Sequence, residues 1–270
     1  MEISILGFGT MGQMLAEILI NNKSNEITLS IANRTPVKMN DFISTHKNVK
    51  GYSDFGQCVK NADLIFLCVR PQAACEVLLN ISDKIKPGTY LISIAADLPV
   101  TLIEKKFSGK ISRIMPTVTS KIKRGITLLV NNSLVNDSDI ELIASLFKDS
   151  IEFREITDDE MNLFTGITSC GPGLISAILS EYAKSFSITE SYNAQLIRDM
   201  LIETVIGTCL LSKQQSKSFD QIIDEVATPG GITGAGAAVL RKELPIVFKN
   251  MNEEMIKKHV SRSKEVAESF

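Results

Sequence analysis

Histidine is scarce in this sequence of 270 residues, where only His46 and His259 occur. The two lie far apart along the chain, and no cysteines stand in CxxC spacing. Catalytic triads and zinc sites both draw on clusters of such residues, so neither is expected here. We predict that the chain binds no metal.

Cysteines are few, scattered and odd in number. They are Cys58, Cys68, Cys75, Cys170 and Cys209. Such a set makes a poor disulfide framework and favours reduced thiols in the cytoplasm. The N-terminus lacks a basic segment ahead of an apolar run, so no signal peptide is expected. No stretch of about 18 uninterrupted apolar residues predicts a membrane span.

Strong charge of either sign is also absent. The 29 basic and 31 acidic residues leave a net charge of -2, and they are interspersed. No basic stripe is present, so the chain is not expected to bind nucleic acid. The apolar fraction of 44% is sufficient for a globular core. A chain of this length forms one large or two modest domains.

Short apolar segments alternate with helical periodicity in the first half of the chain. The predicted strands are Glu2–Leu6, Ile27–Ile31, Asp63–Val69, Thr89–Ile94, Ile111–Met115 and Ile126–Val130. Strands separated by helical stretches of about 10 to 15 residues are typical of βαβ units and a parallel sheet. Residues 1–155 are therefore predicted to form a Rossmann domain with a doubly wound parallel sheet.

Apolar residues recur every three or four positions beyond about Arg154, which predicts helices. The predicted helices are Thr157–Ser169, Pro172–Phe186, Thr189–Gln215, Phe219–Ala227 and Pro245–Ser269. Residues 156–270 are therefore predicted to form an all-helical C-terminal domain, and the fold class is α/β. The helix from Thr189 carries a broad apolar stripe, which favours a homodimer or a higher homo-oligomer.

The first strand leads directly into a glycine motif. Gly7, Gly9 and Gly12 fit G-x-G-x-x-G, and a predicted helix follows at once. In dinucleotide-binding domains these glycines make the tight turn, admit the pyrophosphate and let the helix pack on the strand. Amides at the start of the helix then bind the phosphates. The alternative is a glycine turn without a ligand. The predicted cofactor-binding residues here are Gly7, Phe8, Gly9, Thr10, Met11 and Gly12.

The end of the second strand predicts which dinucleotide is bound. NAD-binding domains usually have an acidic residue there for the ribose 2′-hydroxyl, whereas this chain has Asn33, Arg34 and Thr35. Arg34 can pair with a 2′-phosphate, and the other two can donate hydrogen bonds to it. NADP(H) is therefore the predicted cofactor, with NAD(H) as the second choice. The alternative is an ordinary surface loop with one solvated arginine.

Four further stretches resemble the pyrroline-5-carboxylate reductase family. They are Val69-Arg70-Pro71-Gln72, Arg113-Ile114-Met115-Pro116, Gly171-Pro172 and Thr228-Pro229-Gly230-Gly231-Ile232-Thr233. Their order and spacing match the family along nearly the whole chain, and P-G-G-x-T is the most specific of them. The resemblance implies an NADPH-dependent oxidoreductase that reduces the cyclic imine 1-pyrroline-5-carboxylate to L-proline, in proline biosynthesis.

The resemblance also assigns residues to the cofactor. Val69, Arg70 and Pro71 would lie beside the adenosine ribose and the pyrophosphate. Met115 and Pro116 would flank the nicotinamide. These five residues complete the predicted cofactor site.

The P-G-G-x-T turn is assigned by the resemblance to the carboxylate of an imino-acid substrate. The implied substrate-binding residues are Thr228, Gly230, Gly231 and Thr233. A Pro-Gly-Gly turn before a helix exposes amides with no side chains in the way, which suits an anion. Thr233 is the catalytic candidate, as a hydroxyl that positions the substrate, since no base adjoins it in the sequence. The alternative is a plain turn between helices.

The chain departs from the family's usual pattern at several positions. Thr117 stands where Asn is usual, Cys170 where Ser is usual, and Gly173 where Ala is usual. Ser169–Pro172 and Gly230–Gly234 resemble at least as well a reductase-like subgroup that is associated with late competence in some bacteria. The alternative function is therefore a reductase-like NADP(H)-binding protein with an altered substrate or a regulatory, non-catalytic role.

A different dehydrogenase class and a reactive thiol are also compatible with the sequence. Rossmann dehydrogenases of the 3-hydroxyacid or prephenate type use a lysine or histidine on their helical domain, but helix Pro172–Phe186 has only Lys184, near its end. Cys170 precedes a helix, where a thiolate nucleophile is favoured. No histidine or lysine neighbours it in the sequence, so a packing or cofactor-lining role is preferred.

Overall fold

The structure is a computed structural model that describes residues 1–22, 26–147, 152–186 and 193–270. The predicted start of a helix at Thr189 lies outside these ranges. The chain divides into two compact units. The first consists of Met1–Pro172 and Lys258–Phe270, and the second of Gly173–Lys257.

An eight-stranded sheet forms the centre of the first unit. Its strands are β1 (Glu2–Leu6), β2 (Thr28–Ala32), β3 (Val49–Tyr52), β4 (Leu64–Leu67), β5 (Tyr90–Ser93), β6 (Ile111–Met115), β7 (Ile126–Asn131) and β8 (Glu152–Glu155). Their order is β3-β2-β1-β4-β5-β6-β7-β8. This order confirms the predicted Rossmann fold, although β3 and β8 were not among the predicted strands.

The predicted parallel sheet contains one antiparallel pair of strands. The strands β6 and β7 are antiparallel, while all other neighbouring strands are parallel. The reason is the short connection between them, which contains one 3₁₀ turn at Val118–Ile122. A parallel crossover needs a dozen or more residues, usually with an α-helix.

Alternate side chains of the strands fill two apolar cores, one on each face of the sheet. In β4, Ile65 and Leu67 belong to one core, whereas Leu64 and Phe66 belong to the other. A strand buried on both faces has a continuous apolar sequence, which is why β4 shows no alternation.

Helices cover both of these cores. They are α1 (Thr10–Asn21), α2 (Val37–Thr45), α3 (Phe55–Val59), α4 (Pro71–Ile81), α5 (Val100–Ile103) and α6 (Asp137–Leu146). Buried residues of α1, α2 and α6 belong to one core, and those of α3, α4 and α5 to the other. The sheet is therefore covered on both faces, as in doubly wound folds.

The helix that follows the sheet also belongs to the first unit. This helix, α7 (Asp158–Thr168), packs against β7 and buries Met161 and Thr165. The last strand, β8, ends at Glu155 and α7 begins at Asp158, whereas the predicted domain boundary between residues 155 and 156 stays a prediction. The compact units divide later, after Pro172, because α7 packs on the sheet.

The second unit is helical, and its elements are α8 (Gly171–Ser185), α9 (Ala194–Gln215), α10 (Phe219–Val226) and α11 (Ile232–Glu268). The predicted start of the last helix at Pro245 is wrong, because α11 begins at Ile232 and continues through this proline. Proline removes one backbone hydrogen bond. A helix of 37 residues retains enough others to continue.

The last turns of α11 return to the first unit. Val266 is fully buried in one of its cores. The Nδ1 of His259 lies 2.9 Å from Oδ1 of Asp97, and Gln72 donates a hydrogen bond to Glu265 at 3.4 Å. The C-terminal end of the chain thus makes both apolar and polar contacts with the rest of the first unit.

Many apolar side chains between α7 and α11 are exposed, and α9 and α10 bury none of their residues. They include Ile175, Ile178, Tyr182, Leu196, Met200, Ile206 and Leu210. By length and composition the run Asp158–Ser185 could also span a membrane. That is weak evidence, since its first turn carries three acidic residues and its Met161 is buried. Exposed apolar surface of this extent marks an interaction surface.

Candidate functional site

The glycine loop joins β1 to α1. Gly7 has a φ of +98°, and a Cβ there would lie 2.7 Å from the carbonyl oxygen of Cys68. The N–H of Gly7 donates to the carbonyl of Ala32 at 2.8 Å. Both the left-handed backbone and the close approach to Cys68 exclude a side chain at this position.

Gly12 and Gly9 differ in what surrounds them. A Cβ at Gly12 would lie 2.2 Å from the carbonyl oxygen of Gly7, so α1 packs directly on the loop. A Cβ at Gly9 would meet no atom within 4 Å. Gly9 is the N-cap of α1, and no side chain in the described ranges caps the amides of this helix. The open space and the uncapped amides together fit a phosphate group.

The remaining loop residues contribute unequally to this cradle. The side chain of Phe8 is 3% exposed and packs edge-on against Phe42. Phe8 therefore supports the loop from the core, which limits its predicted cofactor contact to the backbone. Thr10 is exposed and Met11 is half-buried in the first turn of α1. Their predicted contacts with a dinucleotide remain predictions.

Asn33 links the loop after β2 to the glycine loop. Its Oδ1 accepts a hydrogen bond from the N–H of Phe8 at 3.1 Å, and its Nδ2 donates to the carbonyl of Thr35 at 2.9 Å. The amide is thus occupied by protein contacts, whereas the sequence predicts a hydrogen bond from it to a phosphate. Arg34 and Thr35 are exposed. The guanidinium of Arg34 has no polar partner among the described residues.

The segment after β4 lies beside the glycine loop. The strands β1 and β4 are neighbours, with Leu6 opposite Leu67, although they are not consecutive in the chain. Arg70 occupies the N-cap position of α4 without a side-chain capping bond, Pro71 lies in the first turn, and Val69 is half-buried. The strand order reverses at this position, and open α/β sheets bind ligands there. The fold therefore brings together two of the predicted segments.

The segment after β6 is mostly buried. Met115 is 7% exposed and packs in a core. The carbonyl of Pro116 accepts a hydrogen bond from Oγ of Ser169 at 3.0 Å. Thr117 is buried, and its hydroxyl lies 3.2 Å from that of Thr119. Two stretches that were singled out in the sequence, around Pro116 and Ser169, are therefore in direct contact.

Arg113 forms an ion pair that the sequence did not indicate. Its Nη1 lies 2.9 Å from Oδ1 of Asp158, and Oδ2 of Asp158 accepts a hydrogen bond from the N–H of Val100 at 2.9 Å. Burial lowers the pKa of Arg113, and the hydrogen bond to Asp158 opposes this shift. The guanidinium is 3% exposed, so it depends on Asp158 for the compensation of its charge.

Asp97 and His259 form a second polar contact that sequence reasoning missed. Asp97 is 4% exposed and has a left-handed φ of +59°. Its partner His259 lies 162 positions away in the sequence. Aspartate tolerates this backbone region better than most residues. No local pattern around either residue could have indicated the pairing.

The Thr228–Thr233 turn belongs to the second unit and leads into α11. The N–H of Gly231 donates to the carbonyl of Thr228 at 2.9 Å. Gly230 has a φ of +74°, and a Cβ at Gly231 would lie 2.4 Å from Oγ1 of Thr228. Both glycines are therefore required by the turn itself. Thr228, Gly230 and Thr233 are exposed or half-buried, so the backbone and the Thr233 hydroxyl are accessible.

The thiols do not form an obvious catalytic group. All five cysteines are free, and burial raises the pKa of Cys58 to about 12. Burial also raises the pKa of Cys68, whose backbone carbonyl lies beside Gly7. Within the described ranges, no group of three His, Cys, Asp or Glu side chains could hold a metal.

Family models match both halves of the chain. Residues 2–97 match the family described as NADP oxidoreductase coenzyme F420-dependent. Residues 158–266 match the family described as pyrroline-5-carboxylate reductase dimerisation. The second of these matches makes the C-terminal half of the chain similar to pyrroline-5-carboxylate reductases. The match to this dimerisation region covers α8, α9, α10 and most of α11, as well as α7.

Relatives of this reductase family match nearly the full chain. Pyrroline-5-carboxylate reductase 3 of Bacillus subtilis is 29% identical over 260 residues, which are 96% of this chain and 95% of the relative. ComE operon protein 4 of the same organism is 23% identical over 249 residues, which cover 92% and 91% of the two chains. The resemblance found in the motifs thus extends along the whole sequence.

Solved structures of the family share this fold. The pyrroline carboxylate reductase of Plasmodium falciparum, a structure with NADP bound, has a TM-score of 0.82 at 23% identity and covers 98% of this chain and 97% of its own. The enzyme of Streptococcus pyogenes has a TM-score of 0.84 at 21% identity, with 97% and 98% covered. Prephenate dehydrogenase of Aquifex aeolicus has a TM-score of only 0.55 at 10% identity, and the alignment covers 99% of this chain and 97% of the dehydrogenase. The fold is therefore that of the reductases.

Proposed function

We propose that this protein is an NADPH-dependent oxidoreductase that reduces 1-pyrroline-5-carboxylate to L-proline. The observation that carries the proposal is the match of residues 158–266 to the dimerisation region of pyrroline-5-carboxylate reductases. Rossmann domains serve many unrelated oxidoreductases, so the first unit alone would not identify a substrate. The B. subtilis relative at 29% identity supports the same activity.

The glycine loop supports binding of a dinucleotide. The open space at Gly9 and the uncapped amides of α1 would hold the pyrophosphate. Arg34 and Thr35 would hold the 2′-phosphate, and Asn33 would hold their loop against the glycine loop. Val69, Arg70, Pro71, Met115 and Pro116 are the further cofactor contacts of the proposal. The bound cofactor supplies a hydride.

The turn before α11 supports binding of a carboxylate. The exposed backbone of Gly230 and the hydroxyl of Thr233 offer donors to an anion, and Gly231 leaves space beside them because it has no side chain. Thr228 shapes the turn, since its carbonyl accepts the N–H of Gly231. Thr233 positions the substrate and does not act as an acid, because a threonine hydroxyl without a base is a weak proton donor. Catalysis then rests mainly on positioning.

A homodimer in the cytoplasm is part of the proposal. The exposed apolar side chains between α8 and α11 need a partner, and the family model for this region is a dimerisation model. A second copy of the chain would cover them. The free thiols suit a reducing compartment. Light scattering at micromolar concentration should give twice the mass of the chain, and a monomer would contradict this part.

A second candidate is an NADP(H)-binding protein without this chemistry. The similarity to ComE operon protein 4 favours it. The unusual Thr117 lies in the segment that was assigned to the nicotinamide, and its side chain is buried. This candidate predicts cofactor binding without turnover.

One assay separates the two candidates. The purified protein is mixed with NADPH and 1-pyrroline-5-carboxylate, and loss of NADPH absorbance is followed together with formation of proline. Cyclic imines of other ring size serve as alternative substrates, and NADPH binding is measured separately by fluorescence. Proline formation supports the reductase. Tight NADPH binding without turnover of any imine would contradict it and favour the second candidate.

A further inference from the structure

Two lysines border the glycine loop from opposite connections. Lys38 is the second residue of α2, and Lys121 lies in the 3₁₀ turn after β6. Together with Phe8, Gly9 and Thr10 they line a cleft of about 350 Å³ at the start of α1. Neither position belongs to a motif that the sequence indicated.

Neither lysine is neutralised by the protein. Both are exposed, and neither ammonium has a polar partner in the part of the chain that the structure describes. Among the described residues, Glu17 is the one carboxylate that also lines the cleft, and it already accepts a hydrogen bond from Gln13 at 3.1 Å. The cleft therefore combines two free ammonium groups with the uncapped amides of α1. This combination attracts an anion of more than one charge.

Arg34 lies in a different electrostatic environment. It borders a separate cleft that is also lined by Asp54 and Glu76. These carboxylates offset part of its attraction for a phosphate. The charge of Arg34 alone would therefore account for only part of the preference for a 2′-phosphate.

We infer that Lys38 and Lys121 are further cofactor-binding residues, with Lys38 binding the 2′-phosphate of NADPH and Lys121 binding its pyrophosphate. Lys38 follows the loop at the end of β2, where Rossmann domains place the ribose 2′ group. Lys121 reaches the same cleft from the β6 side, next to the first turn of α1, where the pyrophosphate is bound. This inference rests on the proposed function, because it requires a dinucleotide at the glycine loop.

The division of roles makes different predictions for NADPH and NADH, which differ only in the 2′-phosphate. Dissociation constants for both are measured by cofactor fluorescence for Lys38→Gln, Lys121→Gln and the unmutated protein. Lys38→Gln should weaken NADPH binding about tenfold and leave NADH within about twofold, as expected for one lost charge-assisted contact. Lys121→Gln should weaken both dinucleotides by a similar factor.

Two variants control for charge and folding. Lys47→Gln removes an exposed lysine that lines a cleft on the amino side of β2 and β3, so it should alter neither constant. Lys38→Arg keeps the charge and should keep most of the preference for NADPH over NADH. Equal weakening of NADPH and NADH by Lys38→Gln would overturn its assignment, as would an unchanged preference. Unchanged affinities in Lys121→Gln would overturn the role of Lys121. If the unmutated protein binds neither dinucleotide, the proposed function itself fails.

Discussion

The side-chain amide of Asn33 accepts a hydrogen bond from the backbone N–H of Phe8 at 3.1 Å. This contact joins the loop after β2 to the glycine loop, so that the two predicted halves of the nucleotide site hold each other in place. The Nδ2 of Asn33 is directed to the carbonyl of Thr35. Asn33 therefore acts on the site through its neighbours, in addition to any contact with a phosphate.

The first prediction concerns cofactor preference. Asn33→Asp keeps an acceptor for Phe8 but introduces a negative charge at the end of β2, where NAD-binding domains carry an acid. NADPH affinity should fall about tenfold or more through repulsion of the 2′-phosphate, while NADH affinity should change little. Asn33→Ala should weaken both, since it loses the contact to Phe8. Fluorescence titration measures both constants, and an unchanged preference in Asn33→Asp would refute this account of the loop.

The second prediction separates Gly9 from Gly12. Gly9→Val should leave the fold intact, because a Cβ at Gly9 enters open space, and should abolish dinucleotide binding by blocking the pyrophosphate. Gly12→Ala should instead destabilise the protein by about 1–3 kcal/mol, because its Cβ would overlap the carbonyl of Gly7. Thermal unfolding and calorimetric titration distinguish the two effects. Unchanged NADPH binding by Gly9→Val would mean that the turn is structural only.

The third prediction tests the Arg113–Asp158 pair. Asp158→Ala leaves the buried guanidinium without its carboxylate and removes the acceptor for Val100. The free energy of unfolding should decrease by about 1.5–3 kcal/mol, the usual cost of losing a hydrogen bond to a charged group. Asp159→Ala, at the neighbouring position, should change it by less than about 0.5 kcal/mol. Equal effects in urea unfolding would show that the pair contributes no specific stability.

The fourth prediction concerns acid stability. The pKa of Asp63 is lowered in the folded protein, mainly by a hydrogen bond from Lys86 and to a smaller extent by one from the N–H of Glu2. The folded-state pKa is then below the unfolded value of about 3.9. The contribution of ionised Asp63 to the free energy of unfolding is therefore complete above about pH 4 to 5, and it is lost as the pH falls through the folded-state pKa. Since both side chains are partly exposed, the contribution should stay below about 1 kcal/mol.

Urea unfolding between about pH 6 and about pH 2.5 tests this contribution. Asp63→Asn should be less stable than the unmutated protein at the upper end of this range, and the difference should shrink as the pH falls. Asp83→Asn, at an exposed aspartate after α4, is the control and should follow the unmutated protein at every pH. A difference that persists at the lowest pH would indicate that the charge of Asp63 is not what stabilises the fold.

The fifth prediction concerns the proposed substrate site. Thr233→Ala removes the exposed hydroxyl that is proposed to bind the substrate carboxylate. The value of kcat/KM should fall by about 1 to 3 kcal/mol in transition-state binding, while NADPH affinity should hardly change. Thr233→Ser keeps the hydroxyl and should keep most of the activity. Activity of Thr233→Ala equal to that of the unmutated protein would remove Thr233 from the site.

The central strands and the glycine loop were predictable because their signals are local. β1, β4, β5 and β6 are buried on both faces, and each has a short apolar sequence near the predicted position. The edge strands β3 and β8 leave most of their residues exposed or half-buried, so their sequences lack this signal. The continuation of α11 through Pro245 was also hidden, because proline usually indicates a helix start or break.

The sequence by itself determined the Rossmann order of elements, the glycines that the two turns require, and the resemblance to pyrroline-5-carboxylate reductases. These features depend on backbone chemistry and periodicity within a few residues, such as the left-handed φ of Gly7 and Gly230. Only the tertiary structure decided that Asn33 binds Phe8, that Arg113 binds Asp158, and that Lys38 and Lys121 border one cleft. Such partners lie between 25 and 83 positions apart. Local patterns carry no information about them, because the crossovers of the sheet determine which loops meet at its carboxyl edge.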